Sequence, residues 1–346
     1  MLIVYSVAPA GVQPRGGNNH ADAEVSADTP LTGSRLVRHQ LEPGEPIPAD
    51  ALWIDLVQPT RSEERLVEQT LNIEMPTQED MDDIEASELL YHENGARYIT
   101  VKLIVAVDDE PDMAGVTFVL KGNTLATVRY DEPRAFPMYV TRASRAGGAG
   151  TTADAIFHGL IETVIDRTAE LLQATAEQIN ALSRSVFDPK SKAASIAHQQ
   201  TLRSLGSAGT LIAMSRESLA SLERALLFIT ASYRGTGAAG DLRKDIRSTL
   251  RDIQSLEEYA NFQSGKVQFL LDATLGLVNL EQNNIIKLFS VMSVVFMPPT
   301  LIASIYGMNF QDMPELGWDF GYPVAIIVMI MAAVTPYFFF RWKGWL

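Results

Sequence analysis

The 346-residue chain contains no cysteine. Disulfides, thiolate metal sites, iron–sulfur clusters and thiol nucleophiles are therefore excluded. Histidine is nearly as scarce: His20, His39, His92, His158 and His198 are scattered, with no close pair at metal-ligand spacing. Soft metals have little to bind, while hard oxygen ligands are plentiful. Positive charge is in deficit too, with 28 Lys and Arg against 42 Asp and Glu and a formal net charge of −14. Phosphate-backbone recognition needs clustered basic residues, so no nucleic-acid partner is expected; the balance suits a protein that meets cations. There is no glycine-rich phosphate cradle and no nucleophile with a paired base, which argues against an enzyme. The opening MLIVYSVAPAG lacks a basic start and its apolar run is too short for a signal peptide, so it reads as a first strand.

Charge is also missing from two long stretches near the C-terminus. No charged residue lies between Lys287 and Asp312, and none between Asp319 and Arg341. The first run, Leu288 to Tyr306, reads LFSVMSVVFMPPTLIASIY; the second, Phe320 to Phe340, reads FGYPVAIIVMIMAAVTPYFFF. Each is close to the roughly 20 residues needed to cross the hydrocarbon core, and buried helices of soluble proteins are usually shorter. Two spans in membrane lipid are expected, at 288–306 and 320–340. The connection at 307–319 carries Asp312, Glu315 and Asp319 and no Lys or Arg, whereas Lys287, Arg341 and Lys343 flank the spans on the other side. Positive charge collects on the cytoplasmic side, so both termini, with the tail 341–346, are expected there in a multi-pass inner or plasma membrane protein.

The remainder divides by periodicity. Residues 2–7, 51–57, 98–107, 116–120 and 124–130 are rich in β-branched and aromatic residues and read as strands, the last two joined by a hairpin at Lys121-Gly122-Asn123. Thr60 with Glu63 fits a capping box ahead of a helix from Arg61 to Leu71, and Thr77 with Asp80 marks a second, short acidic helix. Residues 11–35 read as a loop. An α/β cytoplasmic domain over 1–150 follows, ending near the GGAG at 147–150. An antiparallel helical pair is expected over 151–240, broken at Asp188-Pro189 and closed by the RGTGAAG at 234–240. From Asp241 no proline appears until Pro298, and Leu242, Ile246, Ile253, Leu256, Val267, Leu270 and Leu277 keep helical spacing. One helix should therefore run from Asp241 to Tyr306, a cytoplasmic stalk at 241–287 continuing into the first span. A lone helix of that length is unstable in water and needs partners, its neighbours or copies of itself.

Inside the first span the small polar residues fall in register. Ser290, Ser293, Thr300 and Ser304 are joined by Met297 into steps of three, four, three and four, and Asn283 lies seven before Ser290. They share one face of the helix. Such a stripe serves ordinary packing of membrane helices, or lines a water-filled pore built from several copies. The second span has almost no polar side chain and reads as a lipid-facing outer helix.

The first span ends in Tyr306-Gly307-Met308-Asn309-Phe310 and continues QDMPELGWDFGYP, after FMPPT at 296–300. This resembles the CorA family of divalent-cation channels, which carries YGMNF at the end of its first membrane helix and an MPEL-type loop after it. The match is close over 241–346 and extends to the stretch DDIEASELLYHENGARYITVKL. The resemblance implies a homopentameric funnel that carries Mg²⁺, with Co²⁺ and Ni²⁺ as further candidate ions and Mg²⁺ also a regulatory ligand. It implies a selectivity turn at Gly307, Met308 and Asn309, where five asparagines meet a hydrated ion, with Gly307 allowing the tight turn. It implies a pore lined by Asn283, Ile286, Phe289, Ser290, Ser293, Met297, Thr300 and Ser304, although Phe289 lies at the edge of the stripe. Asp312, Glu315 and Asp319 would concentrate cations at the outer mouth. Asp80, Asp82, Asp83 and Glu85 are candidates for sensing internal Mg²⁺, and Asp272 matches an acidic pore-mouth position; without the resemblance, each reads first as a solvated charge. Only Arg341 and Lys343 follow the last span, a shorter basic run than the family often carries. The competing readings are a zinc transporter of the ZntB type and a membrane-anchored sensor or scaffold.

Overall fold

The computed structural model describes residues 1–9, 34–83, 85–105, 110–145, 147, 148, 150–187, 195–233, 240–308 and 313–343. The break at Asp188-Pro189, most of the 11–35 loop, the 234–239 connector and the end of the tail lie outside them. The chain forms two compact units: Met1–Phe187 with Arg203–Gln268, and Asp188–Leu202 with Phe269–Leu346.

In the first unit a seven-stranded sheet is built from β1 (Leu2–Pro9), β2 (Ser34–Gln40), β3 (Trp53–Val57), β4 (Leu90–Glu93), β5 (Ala96–Val105), β6 (Asp112–Lys121) and β7 (Thr124–Arg129). Their order is β2-β1-β3-β7-β6-β5-β4. Only β3 and β7 pair in parallel, with Asp55 opposite Thr127. Every residue of β3 is buried, as expected of a central strand covered on both faces. The two strands not anticipated from sequence, β2 and β4, are the edges. Edge strands are short, charged and half solvated, so SRLVRHQ and LYHE carry no clean alternation. The β6–β7 hairpin turns at Gly122, whose φ of +58° suits a residue without a side chain.

At the sheet's centre sits a buried ion pair. Arg129 grips Asp55 through two hydrogen bonds, Nε to Oδ1 at 3.1 Å and Nη2 to Oδ2 at 3.0 Å. Thr127 also donates to Asp55 Oδ1, at 2.7 Å, and accepts from the Trp53 indole at 2.9 Å. Both oxygens of the carboxylate thus have donors, which a buried charge requires. Tyr5 stacks on Trp53 at 4.2 Å, and burial, aided by the Asp55 charge, pushes its hydroxyl up to about 12.

Helices cover the sheet. α1 (Arg61–Leu71) starts at a Thr60–Glu63 capping box, with both reciprocal bonds made. α2 (Gln78–Met81) has the same device in Thr77 and Asp80. α2 lies close against β6: a Cβ on Gly115 would come within 3.0 Å of the Met81 carbonyl oxygen. α3 is Ala86–Leu89 and α4 is Ala135–Ala143. α4 has no side-chain cap, and Pro137 sits in its first turn, where no N–H is needed. Without a cap signal it was not legible in the sequence.

Three long helices follow, α5 (Ala153–Phe187), α6 (Ser195–Ser232) and α7 (Gly240–Tyr306). On α7, Ile246, Thr249, Ile253, Ala260, Gln263 and Val267 are buried at alternating three- and four-residue spacing, Leu256 completing the line. This seam meets the other two helices. Thr249 donates to the Asp245 carbonyl, and its hydroxyl also lies within hydrogen-bond distance of His158 Nε2 of α5, 3.1 Å away. Lys266 bonds Asn180 of α5, and Val267 packs 3.7 Å from where a Cβ on Gly209 of α6 would lie.

In the second unit, the end of α7 is followed by a 3₁₀ turn, Pro314–Gly317, and by α8 (Gly321–Trp342). Replacing Asp55 with alanine should leave the Arg129 guanidinium buried and unpaired. A loss of about 3–5 kcal/mol is expected in the unfolding of the full chain in detergent, followed by circular dichroism. A loss below about 1 kcal/mol would mean that the pair does not hold the sheet's centre.

Candidate functional site

The second unit contains two helices long and apolar enough to cross a membrane, the C-terminal part of α7 and α8. α7 passes through Pro298 and Pro299 without ending. Neither proline has an N–H, so the carbonyls of Val294 and Val295 lack their usual helical donors. In hydrocarbon such groups are costly unless water or another donor reaches them.

The two sides of this segment differ. Val291, Val295, Pro298 and Ile302 are partly covered, at spacings of four, three and four. Asn283, Ile286, Phe289, Ser290, Ser293, Met297, Thr300 and Ser304 are all exposed, with Ile286 at 61 %, Phe289 at 63 % and Met297 at 68 %. At about 100° per residue the mean directions of the two sets lie about 150° apart around the helix. The polar stripe thus lies within the part of the helix that its own chain leaves open, as do Met292, Phe296 and Leu301. Ser293 donates to the Phe289 carbonyl at 2.9 Å and Thr300 to the Phe296 carbonyl at 2.7 Å. With the protons turned inward, both oxygens present lone pairs outward, the polarity that the O–H groups of a hydrated cation need.

The turn after α7 is tight. Gly307 N–H donates to the Ala303 carbonyl at 3.0 Å and Met308 N–H to that of Ile305 at 3.2 Å. Glycine is required here by space rather than by a left-handed backbone: a Cβ on Gly307 would lie 3.2 Å from the Ala303 carbonyl oxygen. Asn309 and Asp312 lie outside the described residues. Glu315 falls in the 3₁₀ turn and Asp319 is exposed just before α8. Aromatic side chains gather at both ends of α8, with Trp318 against Phe320 and Phe339 against Trp342.

In the first unit, Asp80, Asp82, Asp83 and Glu85 are exposed on one short segment, and each of the three aspartates has a local contact. Asp80 caps α2, accepting from Thr77 N–H at 2.8 Å and from its hydroxyl at 2.7 Å. Asp82 meets Lys102 of β5 at 2.8 Å, a partner that sequence reasoning missed because it comes from another strand. Asp83 accepts from the Glu85 N–H at 2.9 Å. Asp272 lies in the second unit, exposed on α7. Among the described residues, no three acidic or histidine side chains converge in an arrangement that could hold a metal ion.

A family model described as "CorA-like Mg2+ transporter protein" matches residues 48–342. The chain belongs to this CorA family. It is 38% identical over 319 residues to the magnesium transport protein CorA of Escherichia coli strain K12, covering 91% of this chain and 98% of that one. It is 37% identical over 298 residues to the CorA of Haemophilus ducreyi, covering 86% and 92%. The structure of the CorA magnesium transporter from Methanocaldococcus jannaschii matches with a TM-score of 0.67 at 18% identity, over 90% of this chain and 96% of that one. The last likeness concerns the fold: an α/β N-terminal domain, a long helix and two C-terminal apolar helices. CorA proteins are transporters, not enzymes.

The acidic segment allows a direct test of structural roles in metal-free buffer. Asp80→Ala removes a capping box and should cost about 1 kcal/mol. Asp82→Ala breaks a pair whose carboxylate is 65% exposed and should cost less than that. Thermal melts of the full chain would check the order, and the reverse order would contradict these assignments.

Proposed function

We propose that this CorA protein is one subunit of a homopentameric channel that carries hydrated Mg²⁺ into the cytoplasm across the inner or plasma membrane. One chain with two spans cannot enclose a path for ions, so copies must supply the wall. The observation that carries this reading is the uncovered polar stripe of α7, from Asn283 to Ser304. Five copies turned inward give a channel with outward lone pairs from Ser293 and Thr300. The names of the curated relatives, all magnesium transport proteins, support Mg²⁺ as the cargo.

Selection belongs at Gly307-Met308-Asn309. Mg²⁺ releases its water shell reluctantly. A ring of asparagine amides can hydrogen-bond those waters without removing them, while Asp312, Glu315 and Asp319 raise the local cation concentration. Farther in, Ile286, Phe289 and Met297 are large and apolar, and a narrow ring of such groups closes the path by excluding water. Cytoplasmic Mg²⁺ bridging acidic groups of neighbouring subunits, with Asp80, Asp82, Asp83 and Asp272 as candidates, would hold the closed state. Both termini then lie in the cytoplasm, an orientation that the acidic, Lys- and Arg-free connection supports.

Uptake into liposomes by the purified protein, measured separately for Mg²⁺, Zn²⁺, Co²⁺ and Ni²⁺, tests the reading. Mg²⁺ flux is expected, and Asn309→Ala should reduce it at least about tenfold with the oligomer intact. Zn²⁺ flux without Mg²⁺ flux would point to a zinc transporter, and no flux of any ion to a sensor or scaffold. Orientation is checked with an impermeant thiol reagent on intact cells. Glu315→Cys should be labelled from outside and Gly344→Cys should not; the opposite pattern would overturn the topology.

A further inference from the structure

On the first unit, α4 and α5 enclose a cleft of about 740 Å³ that the transport reading does not use. Four arginines line it, Arg134, Arg142 and Arg145 from α4 and its flanks and Arg167 from α5. Two carboxylates, Asp166 and Glu170, accompany them. In a chain of formal charge −14, a cleft with twice as many arginines as acids is against the trend of the molecule.

Two of the guanidiniums are held in place without being fully used. Arg142 Nη2 donates to the Gly159 carbonyl at 3.0 Å and to Thr163 Oγ1 at 2.9 Å, which anchors the group on α5. Its Nη1 stands 4.0 Å from Asp166, beyond hydrogen-bond reach. Arg167 Nη1 donates to Glu170 at 2.9 Å, which fixes the group beside the cleft, while its Nε is buried and out of a ligand's reach. Guanidinium N–H groups fixed in this way and still short of acceptors match the several oxygens of a phosphate, which arginine binds in pairs of bonds. Prior fixation also lowers the ordering cost of binding. The rest of the lining includes Pro137 and Met138 but no aromatic ring on which a base could stack. The volume suits two or three linked phosphates, within the size range of small-molecule sites.

We propose that this cleft binds a soluble oligophosphate, recognised through its phosphate oxygens, such as the phosphate tail of a nucleotide. The assignment stands independently of ion transport.

Calorimetry on the full chain in detergent, in metal-free buffer at low salt, tests it with tripolyphosphate, ATP, ADP and sulfate. Tripolyphosphate is expected to bind once per chain with a Kd on the order of 100 µM, ATP competing with it and sulfate binding far more weakly. Affinity should fall as salt rises. The double variant Arg134→Gln/Arg145→Gln, which spares the Arg142 anchor, should weaken binding at least about tenfold while circular dichroism shows it still folded. Arg184→Gln, an exposed arginine farther along α5, should leave the affinity as it was. No heat up to about 5 mM tripolyphosphate would overturn the proposal. So would binding that is equal in the double variant, that is lost equally in Arg184→Gln, or that occurs only with phosphoinositide vesicles.

Discussion

A helix of 67 residues has more surface than one neighbour can cover, and it cannot stand in water on its backbone hydrogen bonds alone. Much of this fold answers that constraint on α7. One line of its surface, from Ile246 to Val267, is buried against helices of its own chain. Nearer its C-terminal end a different line, the polar stripe, stays open. The first condition is met within a single subunit. The second is met only by something outside it, and a polar, water-compatible face within an uncharged apolar segment is what separates this helix from a simple anchor.

The α/β part answers a different problem. Its central strands are buried on both faces, and a carboxylate and a guanidinium lie among them. Such a pair contributes little net stability compared with apolar residues of the same size, but loss of one partner is severe because the other charge remains. Asp55, Thr127, Arg129 and Trp53 make a closed set of hydrogen bonds between the two parallel strands. A slip of one residue in that pairing would leave a buried charge without its donors, so the set favours the observed register.

Much of this was legible in the sequence where local chemistry acts alone. Thr60 with Glu63 and Thr77 with Asp80 announced two helices because a capping box is made within four residues. The spans were legible because hydrocarbon tolerates so few charges. The edge strands were not, since β2 and β4 owe their conformation to a neighbouring strand rather than to their own alternation. α4 was hidden by its missing cap. At the candidate site, Ser290, Ser293, Met297, Thr300 and Ser304 were legible as a face, but that the opposite face is the covered one required the fold. Likewise the Asp82–Lys102 contact joins residues 20 apart in sequence, and no local pattern announces it.

The covered line of α7 has one further property. Ile246, Ile253, Ala260, Val267 and Thr274 recur every seven residues, and Val295 and Ile302 fall on the same count. From Ile246 to Thr274 there are therefore four repeats of seven, buried throughout, before the count meets the exposed Leu288. An α-helix turns once in about 3.6 residues rather than 3.5, so a seven-residue repeat drifts by about 20° each time. Over four repeats the line winds by about 80° around the helix, in the left-handed sense. Anything that keeps contact with it along its length must coil rather than run straight, and the hand of that coil is written in the spacing of a few buried side chains.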